Sequence, residues 1–357
     1  MTAPNHRPRN VLVTGGAGFI GCNFVRHLLA SDPDLKVVNL DALTYAGHLA
    51  SVRGIDAEHG DRHHFIHGDI RNGETVHKAF SEHEIDTVVH FAAESHVDRS
   101  IDGPLEFIDT NIRGTAVLLE VARDLWQDRD DVRFHHVSTD EVYGSLGDEG
   151  LFREDTPYDP SSPYAASKAS ADHLVRAWHR TFSLPVTLSN CSNNYGPFQY
   201  PEKLIPLILG NALAGKELPV YGDGGNVRDW LYVNDHCAAL DTVVRRGQPG
   251  RTYNVGGHNE RRNIEVVELI CDLIDELRPL DGGGSRRELI SFVTDRPGHD
   301  RRYAIDAARI ADELDWRPEH SFEQGLRETV AWYLENQDWC EEVTRDRYGG
   351  ERLGLGN

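Results

Sequence analysis

Short apolar runs, each closed by a polar residue or glycine, alternate along this chain with stretches in which apolar residues recur every three or four positions. Asn10-Val11-Leu12-Val13-Thr14 reads as a buried strand. Val37 to Leu40, His64 to His67, Thr87 to Phe91, Phe134 to Ser138 and Pro185 to Leu188 read as five more. Helices are expected between them, from about Cys22 to Ala30 and from Val76 to Glu82. Across residues 104–125, Leu105, Ile108, Ile112, Val117, Leu118, Val121 and Leu125 keep helical spacing. A helix over 163–182 opens at Pro163 behind Ser161-Ser162, a good start signal because proline suits the first helical position. Strands alternating with helices predict an α/β fold with a doubly wound parallel sheet.

Past Asn190 the pattern loosens. Proline, glycine, asparagine and aromatic residues dominate positions 191–232, which reads as a binding lobe built largely of loops. Helical signals return near Asn234–Val244, Ile264–Leu277 and Phe322–Glu335, and Asp281 to Ser285 reads as a flexible surface loop. The expected organisation is a nucleotide-binding domain over residues 1–191 and 233–260, with a smaller, loop-rich C-terminal substrate-binding lobe over 192–232 and 261–357.

Length and charge narrow the classes. With 357 residues, 39% hydrophobic, the chain is long enough for a domain and a lobe. Its net charge of −21 disfavours nucleic acid and anionic membranes as partners. The five cysteines are scattered, with no C-x-x-C pair, as in a reducing compartment. No metal-ligand spacing stands out, and metal is expected at none of the sites. The first residues are polar and no 18-residue apolar run follows, so a soluble cytoplasmic protein is expected. Lysine occurs only five times, against many arginines, so the lysine at 168 hints at a role that arginine's fork cannot fill.

The first strand runs into Gly15-Gly16-Ala17-Gly18-Phe19-Ile20-Gly21, with glycines at 15, 18 and 21 ahead of a helix. This is a Rossmann-type dinucleotide signature: glycine lets the backbone approach a pyrophosphate, whose charge the helix N-terminus favours. Asp41 closes the second strand, twenty residues past Gly21, where a carboxylate accepts ribose hydroxyls and repels a 2′-phosphate. NAD is therefore expected rather than NADP, with Asp69-Ile70 at the third strand end against the adenine.

Two fragments carry the chemistry. Tyr164 and Lys168 stand four apart on the 163–182 helix, so phenol and ammonium share one face. A nearby cation favours the phenolate, which should draw the tyrosine pKa down from about 10 and make Tyr164 a base for an alcohol. Thr139-Asp140-Glu141 supplies a hydroxyl and two adjacent carboxyls. Alcohol oxidation needs no such pair; proton abstraction with loss of water does. Neighbouring carboxyls in a partly dry cleft separate their pKa values, though which one keeps the proton is not legible here.

These segments, with Asp41 to Gly47, Ala92 to Ser100, Ser138 to Gly144, Ser192 to Pro197 and Asp295 to Tyr303, resemble the extended short-chain dehydrogenase/reductases. Within them the likeness is to the nucleotide-sugar 4,6-dehydratases acting on dTDP-glucose, and it spans residues 11 to 306. The resemblance implies an oxidation, elimination and reduction cycle that returns NAD unchanged. Tyr164 with Lys168 would take the proton of the sugar 4-hydroxyl, and Thr139 would steady the 4-oxygen. Glu141 would remove the carbon 5 proton, and Asp140 would protonate the departing 6-hydroxyl. The implied cofactor contacts are Gly15, Gly18, Phe19, Ile20 and Gly21, then Asp41, Ala42, Leu43 and Thr44. Asp69, Ile70, Phe91, Ala92, Ala93, Thr110, Tyr164, Lys168 and Asn194 complete them. The implied substrate contacts are Ser95, Thr139, Asn193, Lys203, Leu204, Pro219 and Tyr221, with Arg228, Asn263, Arg296 and His299. Arg228 and Arg296 suit phosphate, and Tyr221 suits stacking on a pyrimidine. The likeness also implies a homodimer, through the 104–125 and 163–182 helices. Cys22 departs from a serine usual after the glycine loop. A UDP- or CDP-linked substrate, an epimerase or decarboxylase, and a non-catalytic NAD-binding protein on the same fold stay open at this point. An epimerase would share Tyr164 and Lys168 but not the adjacent acid pair.

Overall fold

The computed structural model describes residues 5–295 and 299–345. Six strands arrive in the order the sequence suggests: β1 (Asn10–Thr14), β2 (Lys36–Asp41), β3 (His63–His67), β4 (Thr87–His90), β5 (Arg133–Thr139) and β6 (Val186–Cys191). β7 (Asn193–Tyr195), β8 (Leu218–Tyr221) and β9 (Val227–Tyr232) follow, then β10 (Thr252–Val255), β11 (Glu260–Arg262) and β12 (Ile290–Val293). The main sheet has seven strands in the order β10-β6-β5-β4-β1-β2-β3, and every pairing in it is parallel.

Winding reverses between β1 and β4. The chain builds outward through β2 and β3 on one side and through β5, β6 and β10 on the other. Ligands of such sheets bind beyond the carboxyl ends of the strands at that reversal. The period-two alternation explains why both faces are covered. Leu12, Val38, Val88, Phe134 and Leu188 point into one buried cluster, while Val11, Val13, Val37, Val89 and Val137 point into the other.

Three readings of the sequence change. The 104–125 stretch is not one helix. It runs as Pro104–Phe107, a wide π turn over Ile108–Gly114, and Thr115–Leu125. The Thr115 hydroxyl takes the Asn111 carbonyl at 2.6 Å. The Asn111 side chain turns inward to Ser167 Oγ at 2.8 Å and the Glu94 carbonyl at 3.0 Å, which widens the turn. The stretch 191–232 is more ordered than its composition suggests, holding β7, β8, β9 and the helix Leu204–Leu213. Its aromatic residues belong to a core: Tyr195 and Trp230 pack with Ile208, Val266, Ile270, Phe322 and Val330. The sheet also gains a seventh strand, β10, from beyond that stretch. β11-β9-β7 and β12-β8 form two small sheets of their own. Asp281 to Ser285 is an exposed turn with positive φ at Gly282, Gly283 and Gly284.

Candidate active site

One cleft lies over the carboxyl ends of β1, β2, β4, β5 and β6. At its floor Gly15 adopts φ +74°, and a Cβ there would stand 2.7 Å from the Ala92 backbone nitrogen. Only glycine fits that close approach. The helix Phe19–Ser31 starts from Gly18 with no side-chain cap, so its first N–H groups face the cleft mouth unclaimed by a side chain. Asp41 braces this loop: its carboxylate accepts the Ala17 N–H at 2.9 Å and the Leu43 N–H at 2.7 Å. Burial pushes its pKa up while those two bonds oppose the push. Asp41, Ala42, Thr44, Asp69, Ile70, Phe91, Ala92, Ala93 and Thr110 all line the cleft with the glycine loop. Leu43 does not; it carries φ +53° and packs beside the apolar cluster under the loop.

At the other end the helix Pro163–Phe182 begins at Ser162, whose hydroxyl accepts the Ala165 N–H. Tyr164 and Lys168, both buried, come from its first two turns and line the same cleft as Thr139, Asp140 and Glu141 at the end of β5. Thr139 caps the short turn Asp140–Tyr143 by accepting the Glu141 N–H at 3.3 Å. Both carboxyl-bearing residues of that turn line the cleft. Ser95, Asn193, Asn194 and Lys203 join the lining.

Electrostatics assign the proton that the sequence left open. Asp140 is 2% exposed, and its Oδ2 has no hydrogen-bond partner among the described residues. Burial, then the charges of Glu141 and Asp229, push its pKa well above the carboxylate range. Of the pair, Asp140 is the one whose surroundings favour the carboxylic acid. Tyr164 corrects an expectation. Burial and the charge of Glu141 hold its phenol well above 10, opposed by a hydrogen bond with Thr139. The Lys168 ammonium is turned to the Val137 carbonyl at 2.9 Å, which is why its position four residues on does not by itself bring the phenol down.

Several lining residues escaped the sequence reading. Glu94 is one, its carboxyl pushed up to about 7 by burial and the charge of Glu106. Tyr45 is another: its hydroxyl meets Ser95 Oγ at 3.4 Å, and the Arg99 guanidinium lies 4.2 Å from its ring. Both sit in segments with family likeness, and nothing in their spacing marked them. Leu204, Pro219, Tyr221, Arg228, Asn263 and His299 lie outside the lining of this cleft. Leu204 packs on the lobe core. Arg228 donates to the Val227 and Asp300 carbonyls at 2.8 and 3.0 Å. Tyr221 and His299 meet edge to face, with ring centroids 6.1 Å apart. Arg296 falls outside the described residues.

A dinucleotide cradle sharing one cleft with a Thr-Asp-Glu turn and a Tyr-Lys pair is the geometry set against known proteins. The family model described as GDP-mannose 4,6 dehydratase matches residues 12–329. A dTDP-glucose 4,6-dehydratase of Xanthomonas campestris is 58% identical over 348 residues, covering 96% of this chain and 98% of that protein. The chain belongs to the family of dTDP-glucose 4,6-dehydratases. An Escherichia coli dTDP-glucose 4,6-dehydratase is 56% identical over 362 residues, covering 97% of this chain and 99% of the relative. Among solved structures, the dTDP-glucose 4,6-dehydratase DesIV from Streptomyces venezuelae, with NAD and a TDP ligand bound, superposes with a TM-score of 0.85. It is 47% identical, with 94% of this chain and 99% of that chain covered.

Proposed function

We infer that this chain is a hydro-lyase, an NAD-dependent dTDP-glucose 4,6-dehydratase, converting dTDP-glucose to dTDP-4-keto-6-deoxyglucose and water. One observation carries the reading beyond family membership: a buried carboxylic acid, Asp140, beside Glu141 in the cleft that holds Tyr164 and Lys168.

The residues fit the cofactor. Gly15, where a Cβ would collide with the Ala92 backbone, lets the loop lie close against the end of β4, and the uncapped helix start suits the charge of a pyrophosphate. Bound NAD supplies a hydride acceptor, later a hydride donor, and a positive charge on its ring. Everything else falls to the chain. Tyr164 Oη takes the proton of the sugar 4-hydroxyl while Thr139 holds the 4-oxygen. The 4-ketone makes the carbon 5 proton acidic, and Glu141 removes it. Asp140 gives its proton to the 6-oxygen, which leaves as water. With carbon 6 reduced, Glu141 gives its proton back to carbon 5. Tyr164 then holds one proton more and Asp140 one fewer, and both reset by exchange with solvent. For Leu204, Pro219, Tyr221, Arg228, Asn263 and His299 as holders of the nucleotide, family membership is the support.

We extend the proposal to a cytoplasmic homodimer, with the sheet domain holding the cofactor and the lobe the nucleotide sugar. Leu105 and Ile108, 76% and 48% exposed, leave apolar surface at the start of the broken helix. No helix among the described residues is long and apolar enough to cross a membrane. The deciding experiment is a 4-keto sugar assay, read by absorbance in alkali, with dTDP-, UDP- and CDP-glucose in parallel. Product from dTDP-glucose supports the reading; product from another nucleotide sugar alone overturns its substrate, and none from any overturns the chemistry. A monomer by light scattering would remove the dimer.

A further inference from the structure

Behind the catalytic pair, one turn further along the helix, lies a charge the reaction does not use. Asp172 is fully buried, four residues beyond Lys168. Its Oδ2 accepts the Ser138 hydroxyl at 3.0 Å and the Tyr158 hydroxyl at 2.8 Å, and the Asn190 amide stands at 3.4 Å. Its Oδ1 lies 3.2 Å from His136 Nε2. These partners are not scattered. Ser138 immediately precedes Thr139 on β5. Asn190, on β6, also donates to the Thr139 carbonyl at 3.0 Å. One carboxylate thus ties the end of β5 that carries the catalytic turn to the helix that carries Tyr164 and Lys168.

We propose that Asp172 is a positioning residue for this cleft: it fixes Thr139 relative to the Tyr164–Lys168 face and supplies the negative charge behind Lys168. The proposal rests on the dehydratase reading of the cleft. The groups facing the two residues from each neighbouring element favour it. His90 on β4 is buried and neutral, its pKa held well below 6.5 by burial and by His136 and Lys168. His136 on β5 is pushed down to about 4, chiefly by burial. Cys191 on β6 is pushed up to about 12 by burial, so it too is uncharged. Tyr143 and Tyr158 are held above the ordinary tyrosine range by burial and by Asp172 itself. Arg176, one turn beyond Asp172, donates to the Tyr158 hydroxyl and is a second cation. Among these groups Asp172 is the anion against which Lys168 and Arg176 are set. Burial alone drives Lys168 toward losing its proton, and Asp172 opposes it. Two charges one helical turn apart in a dry interior couple strongly enough to matter.

The test uses the whole protein. Wild type and Asp172→Asn are treated with formaldehyde and a mild hydride reductant over a pH series, and methylation of Lys168 is read by peptide mass spectrometry. That readout needs no turnover. The amide keeps the shape and loses the charge, so half-maximal labelling of Lys168 should move down by about one to two pH units. The alkaline limb of kcat should move down with it while KM for dTDP-glucose stays put. Ser138→Ala, which keeps the charge, should lower kcat several-fold and leave both pH midpoints in place. Unmoved labelling and an unmoved alkaline limb in Asp172→Asn overturn the role of the charge, and wild-type kcat in Ser138→Ala overturns the positioning role. Should Asp172→Asn fail to fold, Asp172→Glu and Ser138→Ala decide: wild-type kcat in both overturns the proposal, and a fall in kcat at unchanged KM supports it. Wild-type enzyme that makes no 4-keto sugar refutes the dehydratase reading instead, and the labelling still reports on the charge.

Discussion

Replacing Asp140 by asparagine should move rate and stability in opposite directions. The amide keeps the size of the side chain and an oxygen for the Thr139 hydroxyl, which stands 3.4 Å from Oδ1. It has no acidic proton. Losing a general acid costs about 10²–10⁴ in rate, or about 3–5 kcal/mol of barrier. Oxidation at carbon 4 does not use this acid, so reduced nicotinamide should accumulate in a single turnover and product should lag.

Stability runs the other way. The folded protein raises the Asp140 pKa well above its ordinary value, mainly by burial. A raised pKa means the carboxyl's contribution is fully present below the unfolded value of about 4 and is lost as pH rises through the folded one. As pH rises above about 4 the unfolded chain gains from ionising Asp140, and burial holds the folded chain back from the same gain. Each pH unit between the two values costs the wild type about 1.4 kcal/mol. For a chain of this length that is about 2 °C in Tm. Asparagine titrates nowhere, so Asp140→Asn should melt above wild type at pH 8, and the difference should vanish near pH 4. Thermal melts across that range, on cofactor-matched samples, make the comparison. A variant that turns over at wild-type rate, or that melts below wild type at pH 8, refutes the assignment of Asp140 as a buried acid.

Glu141→Gln should suppress exchange of the carbon 5 proton with heavy water by about 10²–10⁴, while oxidation at carbon 4 continues; mass spectrometry of the sugar reads it. Tyr164→Phe should give no reduced nicotinamide at all when mixed with dTDP-glucose, and near-ultraviolet absorbance decides. Asp41→Ala removes the acceptor for both the Ala17 and Leu43 N–H groups. Each lost bond to a charged acceptor is worth about 1.5–3 kcal/mol, so NAD affinity by calorimetry should fall at least tenfold, and wild-type affinity would remove Asp41 from the cofactor's support.

What could be read in the sequence followed from burial on two faces. β1, β2 and β4 are near-continuous apolar runs because helices cover both sides of a parallel sheet, and such runs are hard to mistake. The helix Pro163–Phe182 was legible to the residue because serine and proline start it by local chemistry. The lobe was harder. Its order comes from tertiary packing of Tyr195, Trp230 and Phe322 across long separations, and neither spacing nor propensity encodes that. β10 was missed for a related reason: Thr252–Val255 acquires a partner only because β6, some sixty residues earlier, offers a free edge. The π turn depends on Asn111 finding the Glu94 backbone, a contact invisible until the chain is folded. In the site, the spacing of Tyr164 and Lys168 gave their shared face correctly and their electrostatics incorrectly. Spacing reports proximity along a helix; it does not report that Lys168 turns to a carbonyl or that Tyr164 is buried.

Burial links the two proton-handling residues. One cause, burial, favours the protonated forms of Asp140 and Tyr164, yet the proposed cycle needs Asp140 to give a proton and Tyr164 to take one. A free cleft therefore favours the acid step and disfavours the base step. The balance tips toward the phenolate when positive charge enters the cleft, and Thr139 is already placed to donate to the oxygen that must ionise. In the proposed cycle, oxidation would then depend on a cation held in the cradle of Gly15, Gly18 and Asp41, while Asp140 as acid needs no such help. In that cycle the base for carbon 5, Glu141, is one residue from the acid, Asp140, on the same turn. Adjacent residues on a three-ten turn, Asp140 and Glu141, can differ in proton affinity because Asp140 is buried and the charge of Glu141 beside it raises its pKa further.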